Sequence, residues 1–194
     1  MESVLTLINS KEGVEDFEDI IRPHLDNMYR LAYRFTASEA DAEDLVQEVM
    51  VKAYLKKNDI TEISNLKAWL AKVLYRTFID QQRKFWRSPL KLLKTSNHAQ
   101  DDYDYLEVIS SPEPGPAEVW ESKIVNRQIH AALKALNPKQ RAVCVLHDME
   151  GYTLLELVAL LETPIGTLKS RLHRARATLR DKLYKKNEEL PYGM

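Results

Sequence analysis

The sequence predicts an all-α fold, in which two small helical domains are joined by a flexible acidic linker and the second domain is a helix-turn-helix. Glycine is scarce, with 5 residues in 194, and Leu, Ala, Glu and Lys are common, which favours helix over sheet. Apolar residues recur at helical spacing on both sides of a central stretch that lacks this period. The predicted boundaries are residues 1–94, 95–118 and 119–194.

Charge is distributed in four alternating blocks. Residues 1–60 hold 7 Lys and Arg against 13 Asp and Glu, and residues 61–94 hold 8 against 2. Residues 95–121 hold none against 7, and residues 122–194 hold 13 against 7. Two basic blocks indicate two places where a polyanion could bind, although charge blocks are often only solvated faces.

Composition argues against several classes of protein. No apolar run approaches the roughly 18 residues of a membrane span, and residues 1–19 are acidic without a signal-peptide profile. The single cysteine, Cys144, cannot form an intramolecular disulfide and fits a reducing compartment, so we expect a cytoplasmic protein with no membrane insertion. Cys144 and His147 lack a second Cys/His pair at zinc-site spacing. The sequence therefore predicts a core cysteine, no metal site and no cofactor.

Two helices are predicted at the start of the first domain. The first has Pro23, at which it should start or kink, and its apolar positions are Phe17, Ile20, Ile21, Leu25, Met28, Leu31, Ala32 and Phe35. Ser38 is predicted to cap the second, whose apolar stripe is Ala42, Leu45, Val46, Val49, Met50 and Ala53. Off that stripe, Glu43, Asp44, Gln47 and Glu48 form either a solvated acidic face or a docking surface for a basic partner.

A third helix combines cations with aromatic residues. Residues 56–65 are polar and predict a loop, after which a helix should run from about Leu66 to Trp86. Its cations are interleaved with Tyr75, Phe85 and Trp86, a combination that is typical of single-stranded nucleic-acid binding because rings stack on bases and cations follow phosphates. The alternative is that most of its aromatic side chains lie in the core, which we prefer for Trp69 and Phe78.

The helix-turn-helix is predicted between Gly151 and Arg176. Gly151 should end a helix that begins at Pro138. Thr153 and Glu156 have the spacing of a capping box at the start of the next helix.

The last helix of this motif is strongly cationic. Pro164 suits its first turn, and residues 164–186 contain eight Lys and Arg but one acid, Asp181. A second helix of this kind is typical of one that enters a DNA major groove.

Three segments, in this order, resemble bacterial RNA polymerase sigma factors of the extracytoplasmic-function group, in the sigma-70 family. Residues 41–54, DAEDLVQEVMVKAY, resemble the family's polymerase-binding helix. Residues 66–84 resemble the helix that meets the melted minus-ten promoter element. Residues 136–141 and 151–176 resemble the domain that reads the minus-thirty-five element as duplex, and the segment GTLKSRLHRAR at 166–176 is the most specific part.

The resemblance implies a non-enzymatic initiation factor that binds core RNA polymerase and promoter DNA, both duplex and single-stranded. It also implies an anti-sigma partner, and an acidic linker placed in a channel that normally carries nascent RNA. Polymerase binding is expected at Asp41, Asp44, Leu45, Gln47 and Glu48. Binding of the minus-ten strand is expected at Asn58, Asp59, Lys67, Lys72, Arg76, Thr77, Asp80, Arg83 and Lys84. Binding of the minus-thirty-five duplex is expected at Thr167, Lys169, Ser170, Arg171, His173, Arg174 and Arg176.

Three positions depart from the family pattern. Thr77 stands where the family usually has asparagine. Val158 replaces a small alanine, so the two helices of the motif are expected to cross slightly farther apart. Glu162 replaces a turn glycine that often needs positive φ, which costs a non-glycine residue roughly 1 kcal/mol.

A free-standing helix-turn-helix regulator with an N-terminal helical sensor or interaction domain is the alternative. Such a protein would bind duplex DNA without polymerase, as a dimer. The aromatic and cationic helix at 66–87 argues against it, because a small-molecule sensor has no need of such a helix. A nucleic-acid-processing enzyme is disfavoured because no nucleophile pattern or group of metal-binding carboxylates is evident.

Overall fold

The computed structural model describes residues 11–87 and 128–188, and every regular element in these two stretches is a helix, as the sequence predicts. The predicted linker, residues 95–118, lies outside the described residues. No described helix has the combined length and hydropathy that a bilayer span requires. The helices are α1 Lys11–Thr36, α2 Glu39–Tyr54, a 3₁₀ helix Lys57–Glu62, α3 Leu66–Arg87, α4 128–134, α5 Pro138–Cys144, a π-helical turn Val145–Met149, α6 Leu154–Leu161 and α7 Ile165–Glu188.

Pro23 lies inside α1, so the predicted start of the helix at this residue is wrong. Proline removes one backbone donor, and this loss normally breaks a helix. Here the helix continues because its buried face extends to both sides of the proline. Phe17 and Ile21 are buried before it, and Met28 and Leu31 are buried after it.

Ser38 caps α2 as expected, and its Oγ accepts a hydrogen bond of 3.4 Å from the backbone N of Asp41.

The polar stretch after α2 is more ordered than predicted. The predicted loop at 56–65 contains the 3₁₀ helix. Ile60 is 2% exposed, so this one apolar side chain holds the short helix against the core.

Two local signals of the second domain, the capping box and the glycine at 151, are confirmed. Thr153 and Glu156 form the capping box, in which Thr153 N donates to Glu156 Oε2 at 2.7 Å and Glu156 N donates to Thr153 Oγ1 at 3.2 Å. Gly151 has a φ of 78°, which glycine adopts without strain where the preceding helix ends. Pro164 precedes the first residue of α7 rather than lying in its first turn, and its carbonyl accepts from Leu168 N at 3.1 Å.

Cys144 is a core residue, as predicted, with 3% exposure. Burial, together with the nearby negative charge of Asp148, raises the pKa of the thiol to about 12. The thiol therefore stays protonated, and its Sγ lies 3.5 Å from Asp148 Oδ2 as a hydrogen-bond donor.

The two domains pack against each other around one continuous hydrophobic core. Arg141 of α5 joins them, because its guanidinium donates to carbonyls that end a helix in each domain. Nη1 donates to Phe35 O at 2.7 Å and to Thr36 O at 3.3 Å, where α1 ends. Nη2 donates to Lys134 O and Leu136 O, both at 3.2 Å, where α4 ends. Burial lowers the pKa of Arg141 to about 10, so it remains charged at neutral pH.

A second junction lies at Glu150, whose side chain is 7% exposed. Its carboxylate pairs with Arg34 of α1 and accepts from Asn27 Nδ2 at 3.3 Å. Because both partners belong to the first domain, Glu150 reinforces the arrangement that Arg141 sets up.

Replacing Arg141 with methionine should lower the free energy of unfolding by about 3 kcal/mol, because two buried carbonyls and two partly buried ones lose their donor at once. Urea titration followed by circular dichroism measures this change. Arg141→Lys should recover only part of it, since one ammonium group cannot donate to the ends of both helices.

The control is Lys139→Met on the exposed side of the same helix, which should change the free energy of unfolding by no more than about 0.5 kcal/mol. An equal loss for Arg141→Met and Lys139→Met would contradict the role assigned to the buried guanidinium.

Candidate nucleic-acid interface

Helix α7 separates its apolar and polar residues onto two faces. Leu168, Leu172 and Ala175 are at most 5% exposed and pack in the core. The predicted contact residues Lys169, Ser170, His173 and Arg174 are exposed. They recur with the period of the helix, so they form one polar surface that points away from the domain.

The turn before α7 is closed by Glu162, with a φ of 50° and a ψ of 46°. This left-handed conformation confirms the expectation from the sequence that the position needs positive φ, which costs a residue with a β-carbon roughly 1 kcal/mol. Thr163 Oγ1 donates to Leu161 O at 2.9 Å and satisfies a carbonyl at the end of α6. The turn therefore fixes how α7 leaves α6.

Three other residues predicted at this interface are placed differently. Thr167 is half-buried, and its carbonyl accepts from Ser170 Oγ at 2.9 Å. Arg171 is half-buried and lines a cleft toward α3. Arg176 pairs with Asp148 through two bonds, Nε to Oδ2 at 3.1 Å and Nη2 to Oδ1 at 2.5 Å.

The pair between Arg176 and Asp148 ties α7 to the π-helical turn. Burial alone would raise the pKa of Asp148, but the hydrogen bonds and charge of Arg176 outweigh it and hold that pKa below its usual range. Arg176 is thus committed within the domain, whereas Arg174 is not drawn into an ion pair in the described part of the chain.

On α3, two predicted strand-binding cations contact the turn of the second domain. Lys72 Nζ lies 3.1 Å from Glu162 Oε1 and 3.4 Å from the carbonyl of Ala159. Arg76 pairs with the same carboxylate oxygen. Lys72 and Arg76 together hold the pKa of Glu162 below its usual range.

Thr77 is buried, with 1% exposure, so its predicted contact with the promoter strand is not possible in this structure. Its Oγ1 donates to Val73 O at 2.9 Å and accepts from Lys52 Nζ at 2.8 Å. Thr77 therefore joins α3 to α2 and has no open surface of its own.

The other residues predicted for the minus-ten strand are exposed. They are Asn58, Asp59, Lys67, Asp80, Arg83 and Lys84. Two of the acids are paired with neighbouring cations, Asp80 with Arg83 at 3.3 Å and Asp59 with Lys56 at 3.7 Å.

The aromatic residues of α3 divide between core and surface. Phe78 is fully buried and Trp69 is partly buried against the core, as we expected. Tyr75 is 8% exposed, and burial raises the pKa of its hydroxyl against the opposing charges of Arg171 and Arg83. Trp86 is 57% exposed, so it alone of these rings presents a large surface to solvent.

A cleft of about 410 Å³ lies between α3 and the helix-turn-helix. Its charged lining consists of Arg76, Asp80, Arg83, Lys139, Glu162 and Arg171. Cations of both domains thus line the cleft together with two carboxylates.

The residues predicted to bind polymerase lie on α2, and all but Leu45 are at least partly exposed. Asp41, Asp44 and Gln47 are exposed, and Glu48 is half-buried. Leu45 is fully buried in the core and cannot contact a partner, because it lies on the opposite, apolar side of the helix.

Glu48 is held by its neighbours on α2 and α3. Its carboxylate accepts from Lys52 Nζ at 2.8 Å and from Gln81 Nε2 at 2.9 Å. Burial alone would raise the pKa of Glu48, but these bonds and the lysine charges hold it below its usual range.

Two apolar residues on the same face of α2 were missed by the sequence reasoning. Val51 is 54% exposed and Leu55, at the end of α2, is 77% exposed. They follow Asp44 by seven and eleven residues, a spacing that returns to the same side of a helix. The signal in the sequence was this spacing, which places both outside the apolar stripe.

Comparison with known proteins assigns both halves of the described chain. The family model of Sigma-70 region 2 matches residues 20–88, and that of Sigma-70, region 4 matches residues 126–179. The ECF RNA polymerase sigma factor SigE of Mycolicibacterium smegmatis is 30% identical over 187 residues, covering 96% of this chain and 69% of that protein. The ECF RNA polymerase sigma factor SigW of Bacillus subtilis is 29% identical over 174 residues, covering 89% and 92%.

A solved structure resembles the chain across both domains. The sigma factor RpoE in complex with the anti-sigma factor NepR from Bartonella quintana matches with a TM-score of 0.60 and 28% identity. The match covers 88% of this chain and 98% of that one. The region 2 match covers the cationic α3, and the region 4 match covers the cationic helix-turn-helix. The sequence relatives match across both domains. The chain belongs to the extracytoplasmic-function group of RNA polymerase sigma factors.

Proposed function

We propose that this sigma factor binds core RNA polymerase through the outer face of α2 and reads its promoters at two elements. Helix α7 reads the minus-thirty-five element as duplex, and α3 with the 3₁₀ helix holds the melted minus-ten strand. The chain acts without catalysing a reaction and without a cofactor. It works in the bacterial cytoplasm, where the polymerase is.

The division of α7 into two faces is the observation that carries this proposal. An apolar face buried at Leu168, Leu172 and Ala175 fixes the helix in the domain. The opposite face presents Lys169, Ser170, His173 and Arg174 to solvent, and a helix that reads a major groove needs such exposed donors for base edges and phosphates. A stable fold alone gives no reason for two cations, a serine and a histidine without any acid on one surface.

The strand-binding role of α3 is supported by its exposed cations and by Trp86. Lys67, Arg83 and Lys84 are exposed along the helix. Trp86 offers a ring at its C-terminal end on which an unpaired base can stack. Thr77 is not part of this surface, and Tyr75 is covered by the second domain.

The polymerase-binding role is supported by the composition of the outer face of α2. Asp41, Asp44 and Gln47 provide charge and hydrogen-bonding groups, and Val51 and Leu55 provide exposed apolar area beside them. An apolar centre with a charged margin is the usual composition of a protein interface.

An anti-sigma partner is part of the proposal. The similar RpoE chain was solved with the anti-sigma factor NepR bound. Its 98% coverage extends over both domains, so a partner that binds this chain across its two domains is the corresponding expectation.

Run-off transcription with purified core polymerase on a pool of promoter fragments tests the whole proposal. Transcripts from a defined subset of promoters should appear only when this chain is added. Tight binding to duplex DNA without polymerase, and no transcripts with it, would favour the free-standing regulator instead.

The roles of two arginines on α7 should differ. Arg174→Ala should cost about 1–3 kcal/mol of binding and relax the preference at one base position, because its side chain is exposed on the groove-facing surface. A selection of bound sequences from a randomised minus-thirty-five element, with polymerase holoenzyme, measures this preference.

Arg176→Ala is the matched control, since it removes the same charge from a side chain that is held by Asp148. It should leave the base preference unchanged and act chiefly on stability. If Arg174→Ala weakens all sequences equally, its contact is to phosphate and not to a base.

Polymerase binding should depend on two kinds of contact on α2. Leu55→Gln should weaken binding of core polymerase about fivefold at any salt concentration, because apolar contact is lost. Asp44→Asn should weaken binding mainly at low salt, because exposed charges are screened. Fluorescence anisotropy of the labelled chain with core polymerase measures both.

Asp26→Asn is the control for Asp44→Asn, because Asp26 is also an exposed acid but lies on α1, outside the proposed face of α2. It should bind as the wild type does. Equal effects of Asp26→Asn and Asp44→Asn would place the polymerase elsewhere.

A further inference from the structure

The packed arrangement of the two domains places a carboxylate of one on the strand-binding cations of the other. Glu162, in the turn of the helix-turn-helix, contacts Lys72 and Arg76 of α3. The three side chains retain 59%, 31% and 54% exposure respectively, so the contact lies at the open margin of the domain junction. It is a polar contact in addition to the buried junctions at Arg141 and Glu150.

We propose that Glu162 is an internal latch, which occupies Lys72 and Arg76 in the closed chain and must release them before the promoter can be read. This inference rests on the proposed function, because it takes α3 and α7 as the two DNA-reading helices. It adds that the chain lowers its own affinity for the melted strand until the domains separate.

The geometry of a promoter requires this separation. The names of the two elements place them about 25 base pairs apart, which is ~85 Å along a duplex at 3.4 Å per base pair. Helix α7 has 24 residues and is about 36 Å long, and the turn at its start lies within 3.1 Å of α3. A chain in this arrangement cannot place both helices on their elements at once.

The latch also competes chemically with DNA. A carboxylate bound to a lysine and an arginine occupies the donors that a backbone phosphate would use. Once the domains part, Lys72 and Arg76 are exposed as a pair one helical turn apart, ready for the strand. Glu162 then moves away with the second domain and no longer opposes the polyanion.

The position of Glu162 supports a role across the junction. Its backbone is left-handed, a conformation in which glycine would be free of strain. The side chain makes its ion pairs with the other domain and none within its own among the described residues. A glycine here would ease the turn but would leave Lys72 and Arg76 without this carboxylate.

Exposed ion pairs are individually weak and are screened by salt, so the latch is a bias rather than a lock. Such a bias suits a chain that must open when polymerase binds, because a modest difference in affinity between closed and open states is enough to shift the population. The buried junction at Arg141 determines how the two domains pack, and Glu162 raises the fraction of chains in that closed arrangement.

Distances between two labels on the full chain test the latch directly. Glu43→Cys on α2 and Lys182→Cys on α7 provide exposed sites for spin labels, and the native Cys144 is buried. Glu162→Gln keeps the shape of the side chain but removes its charge, so it should move the distance distribution toward longer values. Raised salt should do the same to the wild type but have little effect on Glu162→Gln.

A charge swap separates the ion pair from a general effect on folding. Arg76→Glu should open the chain, and Arg76→Glu combined with Glu162→Arg should close it again, as measured by the same label distances. Asp181→Asn, an exposed acid on α7, is the matched control and should leave the distances unchanged.

Affinity for the strand gives a second measurement. The free Glu162→Gln chain should bind a single-stranded minus-ten oligonucleotide about threefold more tightly than the wild type, beyond any change seen for Asp181→Asn. The oligonucleotide is the non-template strand of a promoter found in the run-off transcription.

Identical label distances for Glu162→Gln and the wild type, with no reclosing by the charge swap, would overturn the latch. That result leaves the proposed function intact, since promoter-specific transcripts are measured independently. Absence of such transcripts would overturn the proposed function, while the label distances would still report whether Glu162 holds the domains together.

Discussion

The guanidinium of Arg141 donates hydrogen bonds to the C-terminal carbonyls of two helices, α1 and α4. The last carbonyls of a helix have no partner within it, and burying them without donors is costly. By donating to the ends of α1 and α4, Arg141 allows both termini to be buried at the junction between the domains. The shared core, the pairing of Glu150 with Arg34 and the meeting of α3 with the helix-turn-helix all require these helix ends to lie together.

Hydrogen-bond and ion-pair partners also distinguish the cations that stabilise the fold from those that are available to bind a nucleic acid. Arg141, Arg34 and Arg176 are each held by carbonyls or carboxylates of the chain. Lys169 and Arg174 are exposed on the outer surface of α7. A count of positive charge along α7 does not distinguish Arg176 from Lys169 and Arg174, but their partners do, because Arg176 is paired with Asp148.

Local features of the fold were predictable because their causes are local. The capping box at Thr153 and the left-handed turn at Glu162 depend on residues a few positions apart. The continuation of α1 through Pro23 was not predictable from the proline, because it depends on core contacts distributed along the helix. Leu45 illustrates a conflict within the sequence reasoning, since its apolar spacing indicated the core while the resemblance placed it among partner contacts.

The packing of the two domains had no signal in the sequence. Arg76 and Glu162 are separated by 86 residues, and Arg34 and Glu150 by 116. Neither pair belongs to a motif, and the intervening linker has no helical period from which an orientation could follow. Thr77 was misjudged for the same reason, because its partner Lys52 lies on a neighbouring helix and not on its own.

The burial and protonation of the Cys144 thiol limit its reaction with oxidants. Burial and the charge of Asp148 raise the pKa of the thiol to about 12, and the thiolate is the form that reacts with peroxides and disulfides. The sole sulfhydryl within these 194 residues is therefore held protonated while the second domain is folded. Burial and protonation thus both protect Cys144 from oxidants in the folded domain.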